Sequence, residues 1–173
     1  MKIAITADVH LKTKEENPER WNALSNIVDK ILSEDIKTLI IAGDLFNKES
    51  QNYSDFDEFC KNAKYTSNQI KFYIIPGNHD PSIKQQYFTS SNIIVFSKSE
   101  IIKLVEPPTT FLFIPYLPTK SMGEILAECK ENLPKLWILI GHGDYMAGLR
   151  ETNPYEPGIY MPLTRNDIQY YNP

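Results

Sequence analysis

Runs of consecutive apolar residues alternate along this chain with stretches in which apolar residues recur every three or four positions. The first pattern is typical of buried β-strands and the second of amphipathic helices. The predicted strands are Lys2–Ala7, Thr38–Ala42, Lys71–Ile75, Ile93–Phe96, Ile101–Leu104, Thr110–Ile114 and Leu136–Ile140. Because strands and helices alternate through the first half of the chain, we predict parallel βαβ units and an α/β fold.

Helical periodicity predicts further elements between and after these strands. The predicted helices span Pro18–Ser33, Asp55–Asn62, Met122–Asn132 and Arg165–Tyr170. Asn17 and Thr164 are placed to cap the first and the last of them. Two prolines and a glycine within Asn153–Gly158 predict a loop, because this segment can hardly be a helix or a central strand.

Length and charge narrow the class of protein. The 173 residues fit one domain with a substantial core, and a hydrophobic content of 42% argues against disorder. A net charge of −4 excludes a broadly basic nucleic-acid-binding surface. It does not exclude a nuclease, because bound divalent cations would make the potential positive where a phosphate docks.

The expected compartment is the cytoplasm. No apolar run approaches the roughly 20 residues that cross a bilayer, so no membrane contact is expected. The first strand starts at residue 2 and leads into a polar motif that a cleaved leader would remove. Cys60 and Cys129 fit no zinc or redox spacing and are predicted to be reduced, mostly buried thiols.

Short polar motifs directly follow four of the predicted strands, and all three histidines of the chain lie in them. The motifs are Asp8-Val9-His10, Gly43-Asp44, Gly77-Asn78-His79-Asp80 and Gly141-His142. Because an α/β sheet collects ligands at the carboxyl ends of its strands, we predict that these side chains converge there. Carboxylate and imidazole groups together suit a borderline divalent ion such as manganese, iron or zinc.

Each motif taken alone has an ordinary alternative explanation. Asp8 could be a capping residue next to a surface histidine, and Asp44 could cap a following helix. The tetrapeptide could be an Asn-containing turn, and His142 could be a satisfied structural histidine. In an extended chain, however, residues 8 and 10 project to the same side. The two oxygens of Asp44 can bridge two cations, and His79 can donate a proton to a leaving group.

Taken together, the four motifs resemble those of the calcineurin-like metallophosphoesterase superfamily, and most of all its SbcD-type DNA-repair exonucleases. The likeness runs from residue 2 to about residue 170, and it is carried by Asp8–Leu11, Gly43–Phe46, Pro76–Asp80 and Gly141–Gly143. The resemblance implies an α/β sandwich of two mixed β-sheets flanked by helices.

The resemblance also implies a division of labour within the site. Asp8 and His10 would bind a first metal, Asp44 would bridge, and Asn78 and His142 would bind a second. His79 would assist the departing oxygen while a metal-activated water attacks phosphorus. The expected cofactors are two divalent ions, manganese first, with iron, zinc or nickel as alternatives. The expected partners are a phosphodiester substrate, namely DNA, and an ATPase subunit.

Two departures from the family pattern stand out. Members usually continue to a Gly-His-x-His motif, but no histidine follows His142. Either this chain is the N-terminal portion of a longer domain, which we prefer, or Asp144 replaces the last imidazole. If strands are missing, an open strand edge and exposed apolar stretches such as Phe111–Ile114 should cause self-association. Asn47 stands where some relatives carry an Asp or His that orients the catalytic histidine.

Other functions remain open at this point. A phosphatase or a small-nucleotide phosphodiesterase would use the same fold, because loops determine the substrate. A non-catalytic binding module with an incomplete metal site is a third hypothesis, which the missing imidazoles favour. Signals of nucleic-acid binding are faint and come from Lys12, Lys14, Arg20, Tyr145 and Tyr155.

Overall fold

A four-stranded parallel sheet forms the first half of the molecule in the computed structural model, which describes residues 2–104, 108–148 and 158–173. Its strands lie side by side in chain order. They are β1 (Ala4–Thr6), β2 (Thr38–Ala42), β3 (Lys71–Ile75) and β4 (Ile93–Val95). The predicted parallel arrangement is confirmed, with Ala4 opposite Leu39 and Phe72 opposite Ile93.

Three helices cover one face of this sheet. They are α1 (Pro18–Ser33), α2 (Tyr53–Cys60) and α3 (Ala63–Ser67). Helix α1 has its predicted bounds, although the side chain of Asn17 makes no capping hydrogen bond. The predicted helix Asp55–Asn62 is wrong at both ends. Asn52 accepts from Asp55 N–H and starts α2 earlier, while Asn62 accepts from Lys64 N–H and starts α3.

A second, mixed sheet follows with the order β5-β6-β7. Its strands are β5 (Glu100–Leu104), β6 (Thr109–Ile114) and β7 (Trp137–Gly141), with helix α4 (Met122–Cys129) and a 3₁₀ turn (Lys130–Asn132) between the last two. Strands β5 and β6 are antiparallel, and β6 and β7 are parallel. The two-residue strands β8 (Tyr145–Met146) and β9 (Leu163–Thr164) pair before helix α5 (Arg165–Tyr171), whose predicted cap Thr164 forms a capping box with Asp167.

Hydrophobic packing joins these elements into layers. Residues from both sheets form one buried cluster, consisting of Ile40, Ile75, Phe96, Phe111, Phe113 and Ile140. A second cluster lies between the first sheet and α1 and α2, and a third lies between the second sheet and α4. Two sheets face to face with helices outside them confirm the predicted α/β sandwich. The prediction that both sheets are mixed holds for the second sheet, whereas the described strands of the first are all parallel.

The prediction that Phe111–Ile114 is exposed is wrong. These residues belong to β6, the central strand of the second sheet, and each is at most 3% exposed. The exposed apolar side chains lie instead around β7, where Leu136 is 83% and Ile138 40% exposed. Within the described ranges β7 pairs only with β6.

Two remaining expectations concern the thiols and the membrane. Cys60 is buried and Cys129 half-buried, and both are free thiols as predicted. Burial raises the pKa of Cys60 well above its usual value. In the part of the chain that the structure describes, no helix has the length and apolarity needed to cross a bilayer.

Candidate metal centre

The structure brings the six predicted site residues together around one cavity of about 430 Å³. They are Asp8, His10, Asp44, Asn78, His79 and His142. Five follow β1, β2 and β3 of the first sheet, whereas His142 follows β7 of the second. The site therefore lies where the carboxyl ends of β1, β2 and β3 meet the carboxyl end of β7.

Asp44 occupies the middle of this group and is only 2% exposed. Its Oδ2 lies 3.4 Å from Nε2 of His142, 3.8 Å from Nε2 of His10 and 4.0 Å from Nε2 of His79. Burial by itself raises the pKa of Asp44, but the His142 imidazole and the N–H of His79 hold it below the usual value. Asp44 is therefore an anion at neutral pH and can attract cations.

The ring of His142 is oriented by its neighbours. Its Nδ1 lies 2.9 Å from the carbonyl of Ala42, which can only accept, so Nδ1 carries the proton. Nε2 then faces Oδ1 of Asn78 at 2.9 Å, next to Asp44. Burial lowers the pKa of His142, but Asp44, the Ala42 carbonyl and Asp8 together raise it above the usual value. A histidine that donates one ring N–H to a carbonyl and points the other nitrogen at carboxylate and amide oxygens has the usual arrangement of a metal ligand.

The first motif reaches the site through a conformation that the sequence reasoning did not predict. Strand β1 ends at Thr6, and Asp8 and His10 have φ values of 54° and 51°. Side-chain alternation in an extended strand is therefore the wrong reason for their common direction. The turn is instead held against the loop after β2, because N–H of His10 donates to Asp44 O at 3.0 Å. Nε2 of His10 lies 3.8 Å from Asp8 Oδ1.

Two glycines leave the room that this arrangement needs. A Cβ on Gly43, whose φ is +92°, would overlap the imidazole of His142. A Cβ on Gly77 would overlap Oδ1 of Asp44. Both glycines therefore allow a ligand-type side chain to lie directly against the backbone.

Sequence reasoning missed the role of Asp80. This side chain is fully buried, and it accepts from Gly77 N–H at 2.7 Å and from Phe46 N–H at 2.8 Å. Burial, with a smaller contribution from Asp44, raises its pKa to about 6. Asp80 thus ties the loop after β3 to the loop after β2. The available signal was its place within the Gly-Asn-His-Asp motif, but its partner on the other loop could not be read from the sequence.

Asp144 has a different set of contacts from the one its motif suggested. It lines the cavity, and its Oδ2 accepts from the N–H of Tyr160 at 3.0 Å. Its backbone N–H donates to Tyr160 O, and its carbonyl accepts from Leu163 N–H. These bonds bring Tyr160 to the edge of the site, where its ring lies 6.3 Å from that of Tyr116.

The three basic residues suspected of nucleic-acid contact are each paired with another group of the protein. Nζ of Lys12 lies 3.6 Å from Oε2 of Glu49, and Nζ of Lys14 lies 3.4 Å from Oε2 of Glu58. Arg20 donates to the carbonyl of Val9 at 3.0 Å and thereby supports the first motif. Tyr145 is 56% exposed, whereas Tyr155 and most of the predicted loop Asn153–Gly158 lie outside the described residues.

The donor atoms form two groups that share Asp44. One group contains His10 and His79, the other contains Asp8 and His142, and within each group the ligand atoms lie within 4.8 Å of one another. Carboxylate and imidazole donors around a shared buried carboxylate fit two borderline divalent cations. Nε2 of His10 also lies 3.8 Å from Asp8 Oδ1, so the predicted pairing of Asp8 with His10 on one metal, with His79 unligated, stays a prediction.

Sequence comparison identifies the class of protein that has this fold and site. Residues 1–156 match the calcineurin-like phosphoesterase family, and the chain belongs to that family. The DNA double-strand break repair protein Mre11 of Saccharolobus solfataricus is 25% identical over 178 residues. That match covers 94% of this chain and 45% of the relative, so the chain spans about half the relative's length.

Two solved structures were also found to be similar. The nuclease MPE of Pseudomonas putida is 22% identical with a TM-score of 0.42, over 84% of this chain and 63% of that one. A protein of unknown function from Aquifex aeolicus is 18% identical with a TM-score of 0.38, over 98% and 92% of the two chains.

Proposed function

We propose that this member of the family is a metal-dependent phosphodiesterase that hydrolyses DNA. The observation that carries the proposal is the position of Asp44, which is buried and is shared between two groups of side chains that could hold a metal ion. A carboxylate shared in this way suits a two-cation phosphoesterase site. The choice of DNA as substrate is supported by the similarity to a relative named as a DNA double-strand break repair protein.

The chain's own residues divide into holders of cations and groups that act on the phosphate. Asp8, His10, Asp44, Asn78 and His142 would hold two divalent ions, for which we propose manganese. When bound, such ions supply Lewis-acid activation of water and neutralise phosphate charge. Asp44 carries the negative charge that holds them, and the bond from His142 Nδ1 to Ala42 O leaves Nε2 as the nitrogen that faces the site.

We propose that His79 donates the proton to the leaving oxygen. Among the three imidazoles, its Nε2 lies farthest from Asp44 Oδ2, at 4.0 Å. Its backbone N–H donates to Asp44 Oδ1 at 2.9 Å, which fixes the residue beside the site. Its side chain is 22% exposed and can therefore be reached by a substrate.

The proposal is tested by incubating the protein with end-labelled single- and double-stranded DNA and Mn²⁺, alongside p-nitrophenyl phosphate and cyclic nucleotides. We expect DNA cleavage that Asp44→Asn abolishes and EDTA inhibits. Asp57→Asn is the matched control, because Asp57 is also a buried carboxylate but does not line the cavity. It should leave cleavage unchanged.

The other outcomes of that experiment identify the alternative functions. Hydrolysis of the phosphomonoester or of cyclic nucleotides without DNA cleavage would show a phosphatase or a small-nucleotide phosphodiesterase. Bound metal without hydrolysis of any of these substrates would show a non-catalytic binding module. An ATPase partner subunit and a cytoplasmic location stay predictions that separate pull-down and localisation experiments would address.

A further inference from the structure

We propose that Gln51 is a positioning residue for His79, an inference that rests on the function proposed above. The side-chain amide nitrogen of Gln51 donates to the backbone carbonyl of His79 at 3.2 Å. On the other side, the N–H of His79 donates to Oδ1 of Asp44 at 2.9 Å. The backbone of His79 is thus held at both of its polar groups, which fixes the origin of its side chain.

The orientation of the Gln51 amide is itself determined by its partners. The His79 carbonyl can only accept, so the amide nitrogen must face it. The amide oxygen then accepts from Tyr53 OH at 2.5 Å and from Ser82 Oγ at 3.4 Å. A flipped amide would place two acceptors against each other at His79, so only one orientation satisfies every group.

Tyr53 connects this amide to the hydrophobic core. Its ring makes edge contacts with Phe46 at 5.2 Å and with Phe88 at 5.8 Å between centroids. Both phenylalanines belong to the cluster beneath α1 and α2. Through Tyr53, Gln51 therefore connects the backbone of His79 to the packed core.

Gln51 replaces a support for the catalytic histidine that the sequence put in doubt, namely an Asp or His at position 47. The side chain of Asn47, at the position where some relatives orient the catalytic histidine, accepts from Glu49 N–H at 3.0 Å. Gln51 lies on the same connection, and it acts on the backbone of His79. A misplacement of about 1 Å at a catalytic group can cost up to about a hundredfold in rate, so such support has kinetic consequences.

Gln51→Glu is the sharpest variant, because it keeps an acceptor for Tyr53 and removes the donor to the His79 carbonyl. Gln85→Glu is the matched control. Gln85 also donates to a backbone carbonyl, that of Ile93 at 3.1 Å, and accepts from Val95 N–H at 2.8 Å. Both variants add one negative charge, but only the first changes a contact of His79.

Two measurements are made on each variant. NMR of the metal-free protein reports the backbone amide and imidazole resonances of His79, and steady-state kinetics with Mn²⁺ and bis-p-nitrophenyl phosphate report kcat and KM. We expect Gln51→Glu to shift the His79 resonances and to lower kcat about tenfold, with KM and Mn²⁺ affinity changed less than about twofold. Gln85→Glu should change neither readout.

A double-variant cycle tests whether the effect passes through His79. In a His79→Ala background, Gln51→Glu should lower kcat by less than about twofold, because the group it positions is gone. Full additivity would overturn the proposal, as would His79 resonances that respond no more to Gln51→Glu than to Gln85→Glu. If the wild-type protein hydrolyses no phosphodiester, the proposed function fails, and the NMR comparison alone decides the role of Gln51.

Discussion

Asp44 and His79 lie side by side in the site, yet truncating them should have different effects. Asp44→Ala removes the buried anion shared by both ligand groups, so we expect it to abolish Mn²⁺ binding and turnover together. His79→Ala should leave Mn²⁺ affinity nearly intact and lower kcat by about 10²- to 10⁴-fold, the usual contribution of a general acid. Isothermal titration calorimetry and steady-state kinetics on both variants measure these effects.

The geometry leaves a definite way for this expectation to fail. The ligand atoms of His79, His10 and Asp44 lie within 4.8 Å of one another, so one metal ion could contact all three side chains. Equal loss of metal affinity in the two variants would place His79 among the ligands, and the proton would then have to come from another group.

Asp57 gives a prediction about stability that is independent of the site. Burial raises its pKa, but Lys61 Nζ at 2.6 Å, with bonds from Thr89 and Ser90, lowers it from 3.8 to about 2. Because the folded-state pKa is depressed, the stabilisation is present above about pH 4 and is lost as the pH falls towards 2. A pKa depressed from 3.8 to about 2 corresponds to about 2–3 kcal/mol of stability.

Urea unfolding at pH 7, 4 and 3 tests this effect by comparing the wild type with Asp57→Asn. The difference in unfolding free energy should be largest at pH 7 and shrink steadily towards pH 3. A difference that stays constant over this range would mean that the hydrogen-bond geometry at Asp57, and not its charge, stabilises the fold.

At the scale of elements, Asp80 joins the loops that follow β2 and β3. Asp80→Asn keeps the size of the side chain but turns one acceptor into a donor that faces a backbone N–H, either of Phe46 or of Gly77. We expect a loss of about 1–3 kcal/mol in stability. Thermal denaturation measures that loss, and calorimetry should show weaker Mn²⁺ binding, because Asp44 and Asn78 lie on the two loops. Unchanged Mn²⁺ affinity would show that the loops keep their places without Asp80.

The contrast between predicted and observed elements has physical causes. The bounds of β2 and β3 were predicted because uninterrupted apolar runs leave little choice for a buried strand. Strand β1 ends at Thr6, one residue before its predicted end, and leads into the positive-φ conformations of Asp8 and His10, which the apolar pattern did not predict. The roles of Asp80 and Gln51 depend on contacts between loops about 30 residues apart in the chain, so no local pattern could reveal them.

At the scale of the molecule, the surface around β7 predicts self-association. Within the described residues β7 is an edge strand, and Ile138 on it and Leu136 just before it are exposed. A strand edge with apolar side chains is a site for pairing with another copy. Sedimentation velocity should show dimers or larger species whose share grows with concentration. Ile138→Lys should shift the distribution towards the monomer. A wild-type protein that stays monomeric at high concentration would contradict this expectation.

His142 follows a strand of the second sheet, whereas Asp44 and Asn78 follow strands of the first. The proposed cations would therefore link the two sheets of the sandwich. Opening the two sheets would separate His142 from Asp44 and release the ions, so metal occupancy and sheet closure are thermodynamically linked. At a free-ion concentration of about 100 times Kd, that linkage is worth about 2.7 kcal/mol. Amide hydrogen exchange in β7 should therefore speed up when EDTA is added, whereas exchange in β3, which lies within the first sheet, should change much less.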